Sequence, residues 1–222
     1  MSELFVPSND YMKKKYHNKK ELITSFIKES DTVLDIGFWG QGITAHDSNW
    51  VHSLLKSRSK NVYGLDIDFD ELLFEDNTRY KKGSAENFSF PVKFDVIFAG
   101  DVIEHLSNPG LFLDACKNNL KPGGRVIITT PNCFNLFNLA EKITKYEPTV
   151  NSDHTFYFNT KTLKKLLEKN GWKISDASYL YTLDLKHKES WKKKILNIIY
   201  KIFSLFTNKF IETMVVIAEP AI

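Results

Sequence analysis

The stretch VLDIGFWGQGI, Val33 to Ile43, constrains this chain more than any other, because a run of apolar strand formers breaks at once into Gly37, Gly40 and Gly42. A buried strand ending in glycines reads as the start of a ligand loop, since backbone lacking Cβ atoms can approach a bound group closely. SNWVHSLLKSR follows, with a Ser48 cap and an apolar face of Trp50, Val51, Leu54 and Leu55; it reads as a helix, and NVYGLDI as a second strand. The alternation continues. FDVIFAG is a strand, GLFLDACKNNL a helix ended by KPGG, and RVIITTP a strand closed by Pro131. TKTLKKLLEKNGW is a helix with a Thr160 or Thr162 cap and Gly171 as its stop, followed by strands KISDASYLY and ETMVVIAEP. Upstream, Leu22, Ile23, Phe26 and Ile27 form an apolar stripe, so residues about 10 to 29 read as helical. Strands alternating with helices of this length predict an α/β, doubly wound, mostly parallel sheet covered on both faces, with its ligand crevice at the carboxyl ends of the strands.

Composition narrows the partners. The 222 residues, 42% of them hydrophobic, suit one large domain with a real core. Thirty basic against 27 acidic residues leave +3, too mild to argue for nucleic acid without a basic stripe or aromatic-basic interleaving, and neither is present in the sequence. Cys116 and Cys133 are the only cysteines and lack CxxC spacing, so no disulfide framework and no metal is assigned, and a reducing cytoplasm is the expected setting. The start MSELFVPSND has no continuous apolar core and runs into KKKYHNKK, which is wrong for a secretory signal or a membrane span.

The strand ends carry the candidate chemistry. Asp66 ends the second strand, where an acid can accept hydrogen bonds from both hydroxyls of a ribose; the competing reading is a turn cap ahead of Asp68. The glycine spacing is GxxGxG, and ITAHD intervenes before the helical pattern resumes, so a pyrophosphate on a helix N-terminus is poorly supported. Asp35, two residues before the first glycine, suits a cationic group such as an amine or a sulfonium.

Taken together, VLDIGFWGQG, VYGLDID, GSAENFSFPVKFDVIFAGDVIEHLSNP and LKPGGRVIITTPN resemble the ordered motifs of class I S-adenosylmethionine-dependent methyltransferases, in the group that includes the ubiquinone-type O-methyltransferases. The resemblance is close from Thr32 to Pro131 and extends through DHTFYFNTKTLKKLLEKNGW. It implies a seven-stranded Rossmann-like sheet whose last strand, TMVVIAE, inserts antiparallel beside the fifth. It also implies that Asp35, Gly37, Gly40 and Gly42 surround the methionine part of the cofactor, that Asp66 binds the ribose, and that Ile67 packs on the adenine. Ser84 and Ala85 then match the segment reading the adenine edge, and Gly100 and Asp101 the floor of the pocket. Two departures stand out: the loop is one residue longer than DxGxGxG, with Phe38 and Trp39 inserted, and Ser84 stands where many relatives have aspartate. The added bulk predicts a partly closed loop with one ring against the ligand or against the late-starting helix. The domain plan is a single unit over 1–222, with an N-terminal helical segment (1–30), a cofactor core (32–131), a lid (132–159) and a helical insertion (185–211).

The reaction so implied passes a methyl group in line from a sulfonium to a nucleophile, which needs alignment and water exclusion first, and a base where the acceptor is a hydroxyl. Asp101, Glu104 and His105 in GDVIEHL and His154 in NSDHTFYF are the candidates, the histidines being best suited by their near-neutral pKa. Acceptor choice falls to the parts outside the core. In Asn132–Asn159, Phe134, Phe137, Tyr146, Phe156 and Tyr157 either stack on a sugar or ring or pack the lid down. In Trp191–Phe210, a narrow polar stripe of Asn197, Lys201, Ser204 and Asn208 opposes Ile195, Ile198, Ile199, Ile202, Phe203 and Phe206, with Lys192–Lys194 at one end. Such a helix packs on the sheet or on a second subunit of a homodimer, or lies on an anionic membrane bearing a lipid-linked substrate. The lysines of KKKYHNKK read as a solvated face or as a hold for a phosphate-bearing acceptor. NWVHSLLK, DHTFYF and the late helix more loosely resemble methyltransferases of bacterial surface-polysaccharide biosynthesis. The expectation is a methyl transfer onto a small molecule or glycan precursor, at oxygen. Its rivals are a catalytically idle S-adenosylmethionine-binding module and an NAD-dependent oxidoreductase.

Overall fold

The computed structural model describes residues 14–39, 50–69, 78–148, 150–181, 198, 200, 202 and 207–221. Eight strands form one sheet: β1 (Lys15–Tyr16), β2 (Thr32–Ile36), β3 (Asn61–Asp66), β4 (Tyr80–Lys82), β5 (Phe94–Gly100), β6 (Leu120–Pro131), β7 (Trp172–Leu180) and β8 (Thr213–Pro220). Five α-helices are bounded among the described residues: α1 (Lys19–Phe26), α2 (Val51–Arg58), α3 (Pro109–Asn119), α4 (Leu136–Thr144) and α5 (Thr160–Lys169). The strand order is β1-β7-β8-β6-β5-β2-β3-β4. β8 runs antiparallel to both β6 and β7, while the remaining pairs are parallel. From β2 the chain winds outward through β3 to β4, and from β5 it winds the other way to β6. The winding therefore reverses between β2 and β5, and a crevice opens beyond their carboxyl ends.

Alternation along the strands explains how both faces are covered. Leu34 and Ile36 of β2, Ile97 and Ala99 of β5, and Met214, Val216 and Ala218 of β8 share one core with Phe112, Leu113 and Cys116 of α3 and Leu163 and Leu167 of α5. Their neighbours Val33, Val96, Phe98, Val215 and Ile217 point the other way and meet Leu22 and Ile23 of α1 and Leu55 of α2. Burying both faces is what a parallel sheet requires, and each enclosed aliphatic side chain contributes about 1.5–3 kcal/mol relative to exposure.

Several local expectations are corrected. The sheet has eight strands rather than seven, because Lys15–Tyr16 adds a two-residue edge strand parallel to β7. The helix expected over residues 10–29 accordingly shrinks to α1, whose start is set inside KKKYHNKK by Asn18 accepting from the Glu21 amide at 2.8 Å. The cap of α5 is Asn159 rather than Thr160 or Thr162. Its side chain accepts from the Lys161 and Thr162 amides, and Thr162 completes the box by accepting from the Asn159 amide. β6 begins at Leu120, which pairs with Phe94 before the register shifts ahead of Val96. The Ser48 cap and the glycines Gly40 and Gly42 lie outside the described residues. Most of 185–211 does too: Ile198, Tyr200 and Ile202 are helical, Tyr200 is buried between Phe137 and Tyr181, and Ile198 and Ile202 are exposed.

Candidate active site

At the reversal point lies a cleft of about 700 Å³. Among the described residues it is lined by Asp35 and Gly37 at the end of β2, Asp66 and Ile67 at the end of β3, Ser84 and Ala85 after β4, and Gly100 and Asp101 at the end of β5. The strand-end residues singled out in the sequence therefore converge on one space, Gly40 and Gly42 excepted as undescribed.

Each wall has a physical cause. Gly37 has φ 76°, and a Cβ there would sit 2.8 Å from Val102 Cγ2, so only glycine makes the turn out of β2. Asp66 is nearly buried, and each of its carboxylate oxygens is engaged: Oδ2 accepts from the Trp39 amide at 3.0 Å and Oδ1 from the Asp68 amide at 2.9 Å. It thus caps the turn ahead of Asp68 and tethers the glycine loop, while the remaining lone pairs stay available on the cleft side. Ile67 is 63% exposed, an apolar side chain held open on the cleft wall. Asp101 has φ 55°, the one positive φ outside glycine among the described residues. Its strained turn is secured by its amide on the Thr129 carbonyl and by Thr129 Oγ1 donating to Oδ1 at 3.1 Å. Lys19 of α1, which the sequence reading treated only as part of a lysine run, lines the cleft with its Nζ 3.9 Å from Asp101 Oδ2.

Phe38 and Trp39 take up the extra length of the loop in one aromatic cluster, their rings edge to face at a centroid distance of 6.4 Å. Phe38 is buried against Phe69, Tyr80 and His52 of α2, with ring centroids 5.0–5.2 Å apart, and the Trp50 indole donates to its carbonyl at 2.6 Å. The ring has room because residue 64 is glycine: a Cβ there would meet it at 2.6 Å. Trp39 remains on the cleft wall.

A second cavity of about 230 Å³ adjoins the first, with Asn151 lining both. Its walls are Glu104, Thr130, Asn135, Asn138, His154, Phe156 and Tyr157, among others. The lid segment is stapled here to the turn after β5: the Thr155 and Phe156 amides donate to the Glu104 carbonyl, and the Thr155 hydroxyl bonds the Glu104 and Leu106 carbonyls. That staple brings His105 and His154, far apart in the chain, to a ring-centroid distance of 4.6 Å in an edge arrangement. Glu104, His105 and His154 offer donor atoms within 4.8 Å of one another, a cluster that sequence spacing does not reveal. Burial first, and then the neighbouring His105, lower the pKa of His154, which favours its neutral, proton-accepting form. Glu104 is almost wholly buried; desolvation, reinforced by Asp101, pushes its carboxyl up to about 8. Its Oε2 accepts from Thr130 Oγ1 at 2.9 Å, while Oε1 has no hydrogen-bond partner among the described residues.

Among the lid aromatics, Phe156 stacks on Phe158 and Phe137 packs on Tyr200, whereas Phe134, Tyr146 and Tyr157 are exposed. No helix among the described residues is long and apolar enough to cross a membrane.

Comparison with known proteins agrees with this arrangement. The ubiquinone biosynthesis O-methyltransferase of Colwellia psychrerythraea is 28% identical over 164 residues, covering 67% of this chain and 63% of that protein. The enzyme of the same name from Nitrobacter winogradskyi is 32% identical over 104 residues, 45% of this chain and 40% of that protein. The chain thus spans about half the length of these curated relatives. The crystal structure of an S-adenosylmethionine-dependent methyltransferase from Archaeoglobus fulgidus superposes with a TM-score of 0.55 at 20% identity, covering 90% of this chain and 93% of that one. The model of the methyltransferase-domain family matches residues 9–177, well over half of the sequence, and the chain belongs to that family as a class I S-adenosylmethionine-dependent methyltransferase.

Proposed function

We propose that this methyltransferase acts on a hydroxyl oxygen of a small molecule or a glycan precursor, with His154 as the base. The observation that carries this reading is the second cavity, where amide, hydroxyl and aromatic side chains surround a neutral imidazole beside the cofactor cleft. Asn135, Asn138 and Thr130 offer donors and acceptors for a hydroxylated acceptor, and Phe156 and Tyr157 offer ring faces.

The cleft fits the cofactor. Its size lies within the range of about 300–1,000 Å³ common to small-molecule sites. A side chain at Gly37 would fill the cradle, and an acid stands at three of the four strand ends that line the cleft. When bound, S-adenosylmethionine supplies an electrophilic methyl carbon whose transfer leaves the sulfur with the bonding pair. Asp66 holds the ribose hydroxyls, Ile67 covers the adenine face, and Ser84 and Ala85 meet its edge. Gly37 would border the methionine part, with Gly100 and Asp101 as its floor, while Gly40 and Gly42 lie outside the described residues. Lys19, the one lysine or arginine lining the cleft among the described residues, balances a carboxylate. His154 Nδ1 or Nε2 takes the acceptor proton, and His105, which lies against it edge to face and lowers its pKa, keeps the imidazole neutral until then. Asp101 orders the turn that carries both Glu104 and His105, a supporting role in place of direct proton transfer.

A lipid-linked acceptor is the second reading, favoured by the lid helix α4. Ile143 is 86% exposed and Tyr146 is 92% exposed, with Lys142 and Lys145 alongside, which suits the boundary of an anionic bilayer. A homodimer would cover the same face, and vesicle co-sedimentation beside gel filtration separates the two. The main test is methyl transfer from labelled S-adenosylmethionine onto nucleotide sugars, lipid-linked glycans and quinone precursors. Transfer to a hydroxyl, lost in His154→Ala, is the expected result. Tight cofactor binding without turnover on any acceptor favours an idle binding module, and calorimetric binding of NAD in place of S-adenosylmethionine favours an oxidoreductase.

A further inference from the structure

Behind the cleft wall lies a buried chain of polar groups that the methyl-transfer reading leaves unused. Asp35 Oδ2 is 3.0 Å from His52 Nδ1, and His52 Nε2 is 3.0 Å from the Tyr80 hydroxyl. His52 is fully buried and Asp35 is 2% exposed. The rings of Phe38, Trp50 and Tyr80 enclose the imidazole at centroid distances of 5.0–5.4 Å. The same segments drew attention in the sequence: the two bulky residues inserted after Gly37 and the NWVH that opens α2.

Hydrogen-bond bookkeeping fixes the direction of the chain. A carboxylate only accepts, so His52 donates from Nδ1; a neutral imidazole then accepts at Nε2, and Tyr80 donates its O–H. Every polar atom of the imidazole is satisfied without a positive charge. With Asp35 ionised, this direction leaves its carboxylate buried on the cleft wall; burial raises the pKa of Asp35, and the His52 hydrogen bond opposes that rise. The charged groups that act on it are His52 from α2, Asp66 at the end of β3 and Lys19 from α1. On β5 the residue paired with Asp35 is Phe98, and Asp101 follows the strand. One of the charged groups acting on Asp35, Asp66, is an acid. A cation entering the cleft would complete the balance that the protein itself leaves open.

We propose that His52 and Tyr80 are positioning residues that hold Asp35 ionised and turned toward the cleft, so that the site prefers the sulfonium-bearing methyl donor to its neutral-sulfur product. The proposal rests on the cofactor reading of the cleft. Neither residue touches the cofactor space: Asp35 lines the cleft, and His52 and Tyr80 stand behind it.

Calorimetric titration with S-adenosylmethionine and S-adenosylhomocysteine tests this on the full chain. His52→Leu removes a hydrogen bond to a charged group and is expected to weaken S-adenosylmethionine about tenfold or more while S-adenosylhomocysteine changes less than about threefold. His52→Asn, whose amide can take the place of Nδ1–H, is expected to restore most of the difference. Tyr80→Phe is expected to give a smaller loss of about threefold in the same direction. A pH series adds a readout that packing alone would not move. Donor affinity falls on acidification as Asp35 takes up a proton, and in His52→Leu that fall begins at higher pH, while the curve for S-adenosylhomocysteine moves less. Circular dichroism and thermal unfolding report whether each variant folds; if His52→Leu does not, His52→Asn and Tyr80→Phe carry the test. Equal weakening of both ligands, or an unchanged ratio in folded variants, overturns the relay and leaves the cofactor assignment standing. Wild-type protein that binds neither ligand overturns both.

Discussion

The two halves of the active-site region are built by different means. On the cofactor side, Asp35, Asp66 and Asp101 each stand at or just after the end of a strand, and the sheet brings them together automatically because β3, β2 and β5 are neighbours in register. On the proposed acceptor side the residues come from a turn and a loop, not from paired strands. His105 comes from a single turn after β5, His154 from the lid, and they meet only because Thr155 and Phe156 hydrogen-bond to the Glu104 carbonyl. A strand-end site is a property of topology, whereas a lid site depends on a handful of individual contacts.

Four perturbations break or sharpen that contrast. The largest effect is expected from His154→Ala, which should lower turnover by about 10²–10⁴-fold while leaving calorimetric affinity for S-adenosylmethionine unchanged, because only the acceptor side is altered. A loss of cofactor affinity equal to the loss of rate would erase the division. Next is Gly37→Ala, which imposes a positive φ on a residue with a Cβ and drives it into Val102; about 1–3 kcal/mol of strain is expected, read as a lower unfolding midpoint together with weakened cofactor binding. Asp66→Asn is milder. It keeps an acceptor for the Trp39 amide but removes the charge, and about tenfold weaker cofactor binding is expected, corresponding to 1.4 kcal/mol.

The smallest effect concerns Glu104. Its folded pKa is raised from 4.5 to about 8, so the stability its neutral form contributes is complete below the unfolded value and is lost as pH rises through about 8. Glu104→Gln has no proton to lose. The variant should therefore gain about 1 kcal/mol over the wild type between pH 6 and pH 7, inside the window from 4.5 to about 8 where each pH unit is worth 1.36 kcal/mol. Chemical denaturation at the two pH values checks it, and parallel curves for both proteins would show that the carboxyl is already ionised.

How much of this was legible in the sequence follows the same division. Asp35, Gly37, Asp66 and Gly100 could be picked out because apolar runs of strand length end at them, and a crevice must lie at those ends. His52 and Tyr80 could not. A histidine within a short helix and a tyrosine on an edge strand carry no local mark of burial, and only their packing with Phe38 makes them partners of Asp35. The NWVH segment and the unusual aromatic pair in the loop were the available signal, since large side chains in a glycine loop must find a cavity behind it. The edge strand Lys15–Tyr16 was hidden for another reason: lysines protect sheet edges, so such strands read as polar helix or loop.

By itself, the sequence determined the α/β alternation, the glycine-broken first strand and the acids at the strand ends, because these depend on local periodicity and on the few residues that allow sharp turns. The tertiary structure decided which distant groups meet: His105 with His154 across the lid, and Asp35 with His52 and Tyr80 behind the loop. The physical reason is range. Backbone preference and hydrophobic period act over a few residues, whereas the protonation of a buried imidazole or carboxyl depends on whatever the fold packs around it, wherever in the chain that lies.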